Sequence, residues 1–163
     1  MPSSSAVLTS PSVERVREAL ERAGVETEII ELPGAARTAR AAAEFLGCEL
    51  AQIANSLVFR CAERAAAILV MSSGARRVDL NRLAQRLGER VTKADAEFVR
   101  EHTGFAIGGV APVGHGIRRA YVETTLSQYA TLWAAAGHPH TVFRLTYPEL
   151  LRITAGEEAA LAE

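Results

Sequence analysis

The thirteen residues from Gly104 to Gly116, GFAIGGVAPVGHG, could do chemistry without an ionised side chain. Six of them are glycine or proline, yet Phe105, Ile107, Val110 and Val113 are threaded between. A flexible linker would be polar. A helix or strand would not carry this many glycines, because each costs roughly 0.5–1 kcal/mol of backbone entropy relative to alanine. The pattern predicts a shaped loop, pinned by its apolar side chains, with N–H groups bare enough to approach a ligand. His115 is the only imidazole in such a setting. The same residues also fit a structural turn stack around a buried histidine, and the loop alone does not decide between the two.

Other chemistries are poorly supplied. Gly104 and Gly109 have P-loop spacing, but Val110 and Ala111 stand where Lys and Ser/Thr are required, and no dinucleotide fingerprint follows a strand. There is no HExxH and no C-x-x-C. His138 and His140 flank Pro139 with i, i+2 spacing, which fits either one strand face or an exposed turn, with no Cys or Asp nearby to complete a metal site. Asp79 and Asp95 are the only aspartates, both suit helix caps, and no G-x-S-x-G elbow exists, so a Ser–His–Asp triad finds no parts. Cys48 and Cys61 read as buried, inert thiols.

Basic residues do gather. Arg76, Arg77, Arg82, Arg86, Arg90 and Lys93 are opposed only by Asp79 and Glu89. Arg82 and Arg86 are i, i+4 neighbours on the face opposite the leucines. A phosphate-contacting surface and an ordinary solvated helix face both fit this cluster. Lys93 is the only lysine in the chain, so any chemistry that needs an amine must use it.

The chain that positions these residues has 163 residues, 48% hydrophobic and 23% charged, with net charge −1. That length suits one domain over 10–163, large enough to fold without a metal or disulfide. The composition does not mark a nucleic-acid binder or a disordered chain. Two cysteines without paired spacing suit a reducing cytosol. The first residues lack the basic start and apolar core of a signal peptide, and no apolar run approaches a membrane span. Residues 1–9 are expected to be disordered or loosely attached.

Ser10 starts a helix that Gly24 stops, Thr38 caps an alanine-rich helix closed by Gly47, and Asp79 and Asp95 cap two more. Residues 27–32, 56–60, 66–72, 90–94, 119–125 and 140–146 read as strands, with Asn55 just before the second. Residues 50–54 read as one helical turn, 126–136 as a helix stopped by Gly137, and 147–154 as a last helix before an acidic alanine tail. Without a regular βαβ period, this order predicts α+β with a mixed, largely antiparallel sheet.

Three stretches then resemble a known family in order: TARAAAEFLGCELAQIANSLVFR, ADAEFVREHTGFAIGGVAPVGH and AYVETTLSQYATLWAAAGHPHTVFRLTYPELLRITAG. They are similar to the YbaK family of aminoacyl-tRNA deacylases, free-standing relatives of the editing domain inserted in bacterial prolyl-tRNA synthetases. The likeness spans roughly residues 12–156, and its most specific element is G-x-x-x-P, here Gly108 to Pro112. The resemblance implies a partly barrel-like sheet flanked by helices and hydrolysis of a mischarged amino acid from tRNA, in trans, without a metal or cofactor. Its implied partners are the acceptor end of aminoacyl-tRNA and an aminoacyl-tRNA synthetase.

By the same resemblance, Gly108, Gly109 and Pro112 shape the aminoacyl pocket, together with Val110, Ala111 and Gly114, and His115 stands at its edge. Thr38, Phe59, Ser72, Glu123 and Gly137 become wall positions, and Arg76, Arg77, Arg82, Arg86 and Lys93 become contacts for tRNA. Amides aimed at a developing oxyanion need no ionisable side chain, which suits the loop. One departure matters: the family lysine before the S/T-L-V-F strand is Asn55 here, and the usual aspartate of the Y-V-D segment is Glu123. Losing one charged hydrogen bond costs ~1.5–3 kcal/mol, roughly 10- to 100-fold in rate. An active hydrolase with Asn55 in a catalytic place and a binding module that lost its chemistry therefore both remain open.

Overall fold

The computed structural model describes residues 4–34 and 36–163. Its helices are α1 (Ser4–Leu8), α2 (Pro11–Arg22), α3 (Ala39–Leu46), α4 (Leu80–Leu87), α5 (Ala96–Thr103) and α6 (Tyr147–Thr154). Its strands are β1 (Ile30–Glu31), β2 (Ile53–Cys61), β3 (Ala67–Ser73), β4 (Val91–Lys93), β5 (Arg119–Glu123), β6 (Thr131–Ala135), β7 (Thr141–Thr146) and β8 (Glu157–Ala159). Together they make an α+β fold on one mixed sheet, in the order β1-β7-β6-β2-β3-β5-β8, with β4 branching from β2. Four of the seven strand pairings are antiparallel, and three are parallel.

Side-chain caps start the helices. Ser10 Oγ accepts from Val13 N–H, Thr38 Oγ1 from Ala41 N–H, Asp79 from Asn81 and Arg82 N–H, and Asp95 from Phe98 N–H. Each satisfies an N–H that the first turn leaves without a partner. Strand β3 is covered on both faces: Leu69, Val70 and Met71 are fully buried, as its unbroken apolar run requires. One core lies under α2, α5 and α6, a second under α4 and β8, and a smaller one joins α3 to β1 and β7.

Strand β2 positions the site. Ile53 C=O accepts from Gly74 N–H and Cys61 N–H donates to Ala66 C=O, so odd-numbered residues of β2 bond toward β3. Even-numbered residues bond toward the other edge, where Ala62 N–H reaches Arg90 C=O. On that edge β6 pairs with Ile53 and Ala54, and β4 pairs with Phe59 to Cys61. Residues 55–58 between them have no strand partner there among the described residues.

The helix expected over 126–136 is not formed. A 3-10 turn (Thr124–Gln128) is followed by β6, in which Leu132 and Ala134 are buried and their neighbours half-buried. Pairing with β7 on one side and β2 on the other overrides the helix preference of an alanine-rich segment. The acidic alanine tail after the last helix supplies β8, parallel to β5. The strand expected over 27–32 narrows to Ile30–Glu31, and Asn55 lies inside β2 rather than before it. Within the stretch expected to be loose, 4–8 is helical, and 1–3 lie outside the described residues. Among the described residues no helix is long and apolar enough to cross a membrane.

Glu123 anchors the C-terminal segment. Its carboxylate is 1% exposed and accepts from the amides of Thr125, Leu161 and Ala162 and from the Thr125 hydroxyl. Burial alone would raise its pKa, but these donors together outweigh burial and the net shift is downward. The depressed pKa makes its stabilising contribution present above the unfolded value and lost as pH falls through the folded one. Glu123→Ala should therefore lower unfolding stability by on the order of 3 kcal/mol, since it strands buried donors. Urea denaturation from pH 7 to pH 3 should show the wild type losing this advantage on acidification, with a flatter curve for the variant.

Candidate active site

In the gap along β2 lies a cavity of about 550 Å³. Residues 53–59 of β2 form one wall, with Thr38, Ala39 and Ala42 of α3, Trp133 to Ala135 of β6, and Thr141 and Val142 of β7 around it. Ile107, Gly108 and Val110 of the glycine loop and Pro139 close the rim. Most of this surface is aliphatic or aromatic. The polar side chains are Arg37, Thr38, Asn55, Ser56, Lys93 and Thr141, and no Asp, Glu, His or Cys is among the lining residues. Thr38 is occupied as a cap, Thr141 Oγ1 donates to His138 C=O, and Ser56 Oγ donates to Met71 Sδ. The cavity therefore offers backbone groups, two cations and the Asn55 amide.

The loop has a free middle and anchored flanks. Among the described residues the N–H groups of Gly108, Val110 and Ala111 make no hydrogen bond, whereas Gly109 N–H donates to Ala106 C=O. Val110 is buried and lines the cavity, so its amide faces a desolvation cost that a ligand oxygen would relieve, whereas Ala111 is fully buried behind it and does not line the cavity. The residues on either side of this stretch are anchored in the core. Arg15 of α2 lies over the Phe105 ring at 4.3 Å and donates to Thr103 C=O, and Phe105 is 1% exposed. Pro112 and Ala111 are buried, and Gly114 turns with φ +80° beside Arg15 and Phe105.

His115 belongs to the anchored C-terminal flank and does not line the cavity. Its Nδ1 accepts from Ile117 N–H at 3.1 Å, and its buried Nε2 has no hydrogen-bond partner. Burial pushes its pKa below the ordinary imidazole value; the nearby Pro112 carbonyl opposes that shift and Arg15 adds to it. The ring is a neutral support for the loop.

Of the wall positions, Thr38, Phe59 and Val110 line the cavity together with Asn55 and Gly108. Ser72 pairs with Asn55 across the β2–β3 ladder, but its Oγ is buried without a partner. Glu123 holds the C-terminal segment, and Gly137, at φ +102°, is wedged against Ser12 C=O. Ile107, Trp133 and Pro139 line the cavity without a motif to announce them. Among the described residues no three His, Cys, Asp or Glu side chains gather as a metal site; His138 and His140 lie in a turn with ring centroids 5.7 Å apart.

A second groove of about 580 Å³ adjoins the cavity, and Asn55, Leu57, Phe59 and Lys93 line both. The groove adds Arg76, Arg77 and the start of α4. Lys93 reaches it because β4 pairs Lys93 with Phe59. Arg82 and Arg86, read from the sequence as either a phosphate-contacting pair or a solvated helix face, are half-exposed and bond within the chain: Arg82 donates to Ala162 C=O and Arg86 binds Glu157. Asn55 thus sits where an apolar cavity meets a groove of mixed charge, in which Arg76, Arg77 and Lys93 stand beside Asp79 and Glu163.

Residues 34–153 match the family described as the aminoacyl-tRNA editing domain. The uncharacterized protein YwhH of Bacillus subtilis (strain 168) is 31% identical over 140 residues, covering 85% of this chain and 88% of that protein. A crystal structure of a protein proposed as a trans-editing enzyme for prolyl tRNA synthetase is 45% identical, with TM-score 0.89, over 94% of this chain and 98% of its own. The hypothetical protein APE2540, 24% identical, shares the fold with TM-score 0.83, over 91% of this chain and 99% of its own.

A Cβ at Gly109 would stand 2.9 Å from the His138 Cα, the His138 carbonyl carbon and Pro139 N, all backbone atoms. Gly109→Ala must therefore move the loop away from the turn. If the loop amides act on the ligand, turnover should fall on the order of 10- to 100-fold with the fold retained. Circular dichroism beside the activity assay checks both halves of that outcome.

Proposed function

The chain belongs to the aminoacyl-tRNA editing domain family, and from that premise we propose that it is a trans-acting aminoacyl-tRNA deacylase. It hydrolyses the ester of a mischarged tRNA in the cytosol, without a metal, as one domain over 10–163. The observation that carries this reading is the meeting of unpartnered loop amides with Asn55 at the junction of cavity and groove. The cavity takes the aminoacyl group, and the groove takes the tRNA acceptor end through Arg76, Arg77 and Lys93.

The cavity lining holds no carboxylate, imidazole or thiol to act as base or nucleophile. Rate enhancement then falls to electrostatics: amides of the Gly108–Pro112 segment bind the ester carbonyl oxygen as it gains charge under attack by water. Asn55 orients the substrate with its amide where relatives carry lysine, and Lys93, the neighbouring cation on the cavity wall, supplies the missing charge. Arg76 and Arg77 meet backbone phosphates as sequence-independent contacts. Pairing with a synthetase would deliver the mischarged tRNA.

The second reading is a non-catalytic binding module that retained the cavity. Asn55 in the lysine position favours it. Deacylation of tRNAs charged with Ala, Cys, Ser or Thr, by wild type and Asn55→Lys side by side, separates the two. Wild-type turnover supports the deacylase, and in that case Asn55→Lys should lose rate. Silence in the wild type with activity in Asn55→Lys supports the module. For the enzyme, Arg76→Ala with Arg77→Ala should raise KM several-fold, leave kcat nearly unchanged, and flatten the salt dependence of kcat/KM.

A further inference from the structure

The glycine loop rests on the turn between β6 and β7. Gly109 packs against the backbone of His138 and Pro139 with no room for a Cβ, and a Cβ on Gly108 would lie 3.8 Å from Pro139 Cβ. The placement of both glycines is therefore set by the backbone of residues 138–139. Three hydrogen bonds hold that backbone. His138 C=O accepts from Thr141 N–H at 3.0 Å and from the Thr141 hydroxyl at 2.9 Å. His138 Nδ1 accepts from His140 N–H at 3.0 Å.

Of these three, the last alone depends on a titratable group. A ring nitrogen that accepts an N–H carries no proton, so the His138 ring is neutral with its proton on Nε2. Protonation would set N–H against N–H and break the bond. We infer that His138 is a positioning residue for the glycine loop: its neutral ring closes the turn on which Gly108 and Gly109 rest. This rests on the deacylase reading of the cavity.

The titratable groups facing the ring are His140 in the same turn and Glu31 on β1. Burial, and then His140, push the His138 pKa below its ordinary value of 6.5, while Glu31 opposes the shift. Activity is then complete above the folded pKa and lost as pH falls through it.

Asparagine separates the acceptor from the titration, because its Oδ1 can close the same turn with the N–H two residues on and does not ionise. His138→Ala should lower kcat on the order of tenfold, with a smaller change in KM. His138→Asn should restore most of that loss and remove the acid limb of the kcat–pH profile. Independently of turnover, NMR amide resonances of Gly108 and Gly109 should shift with the His138 titration in wild type and stay flat in His138→Asn. An unchanged kcat and acid limb in His138→Ala overturns the inference, as do loop amides that ignore the titration. Wild type that is inactive on every charged tRNA, with amides that follow His138, would sink the deacylase reading and leave the positioning role standing.

Discussion

Between its pairing with β6 and its pairing with β4, strand β2 runs through residues 55–58 with no strand paired to one edge among the described residues. A sheet normally closes such a vacancy, because unpaired N–H and C=O groups away from water are costly. Here two short strands reach β2 from opposite ends and stop, and the space between them is the cavity. Ser56 and Val58, the even-numbered residues of the gap, turn their backbone groups into it. The α3 cap, the loop rim and the branching of β4 all serve to enclose that gap without filling it.

Enclosure without filling requires a rim that holds its shape from outside. The loop achieves this by burying Phe105 beneath Arg15 and setting Pro112 and Ala111 into the core, while Gly108 and Val110 stay at the cavity. Its opposite support is the 138–141 turn, which meets Gly109 through backbone alone. Backbone-to-backbone contact is stiffer than contact through long side chains, so the unpartnered amides keep their aim. A site that works by aiming dipoles rather than by ionising side chains depends on such rigidity.

Much of this was legible in the chain. Ser10, Thr38, Asp79 and Asp95 are caps by residue type, and each accepts the amide expected of it. The glycine loop declared itself by its mixture of glycine and apolar residues. Strand β6 did not, because Thr-Leu-Trp-Ala-Ala carries a helix-prone composition, and its strand state comes from neighbours distant in sequence. Strand β8 was hidden in Glu-Glu-Ala for the same reason. Within the site, Asn55, Gly108 and Phe59 were found from the blocks they sit in, whereas Pro139, Trp133 and Ile107 carry no local signal. Whether His115 faced the cavity depended on how Phe105 and Arg15 anchor the loop, which no spacing expresses. Lys93 reaches the site only through its pairing with Phe59.

The C-terminal segment binds the stretch leading into α4 from far along the chain: Val78 bridges Ala162, Glu163 N–H donates to Arg77 C=O, and Glu163 borders the groove. The wall of the groove beside Arg76 and Arg77 therefore exists only while this distant segment is docked. Local opening of the segment would unmake the groove and leave the apolar cavity wall on β2 intact, so the two halves of the site differ in the local stability on which each depends.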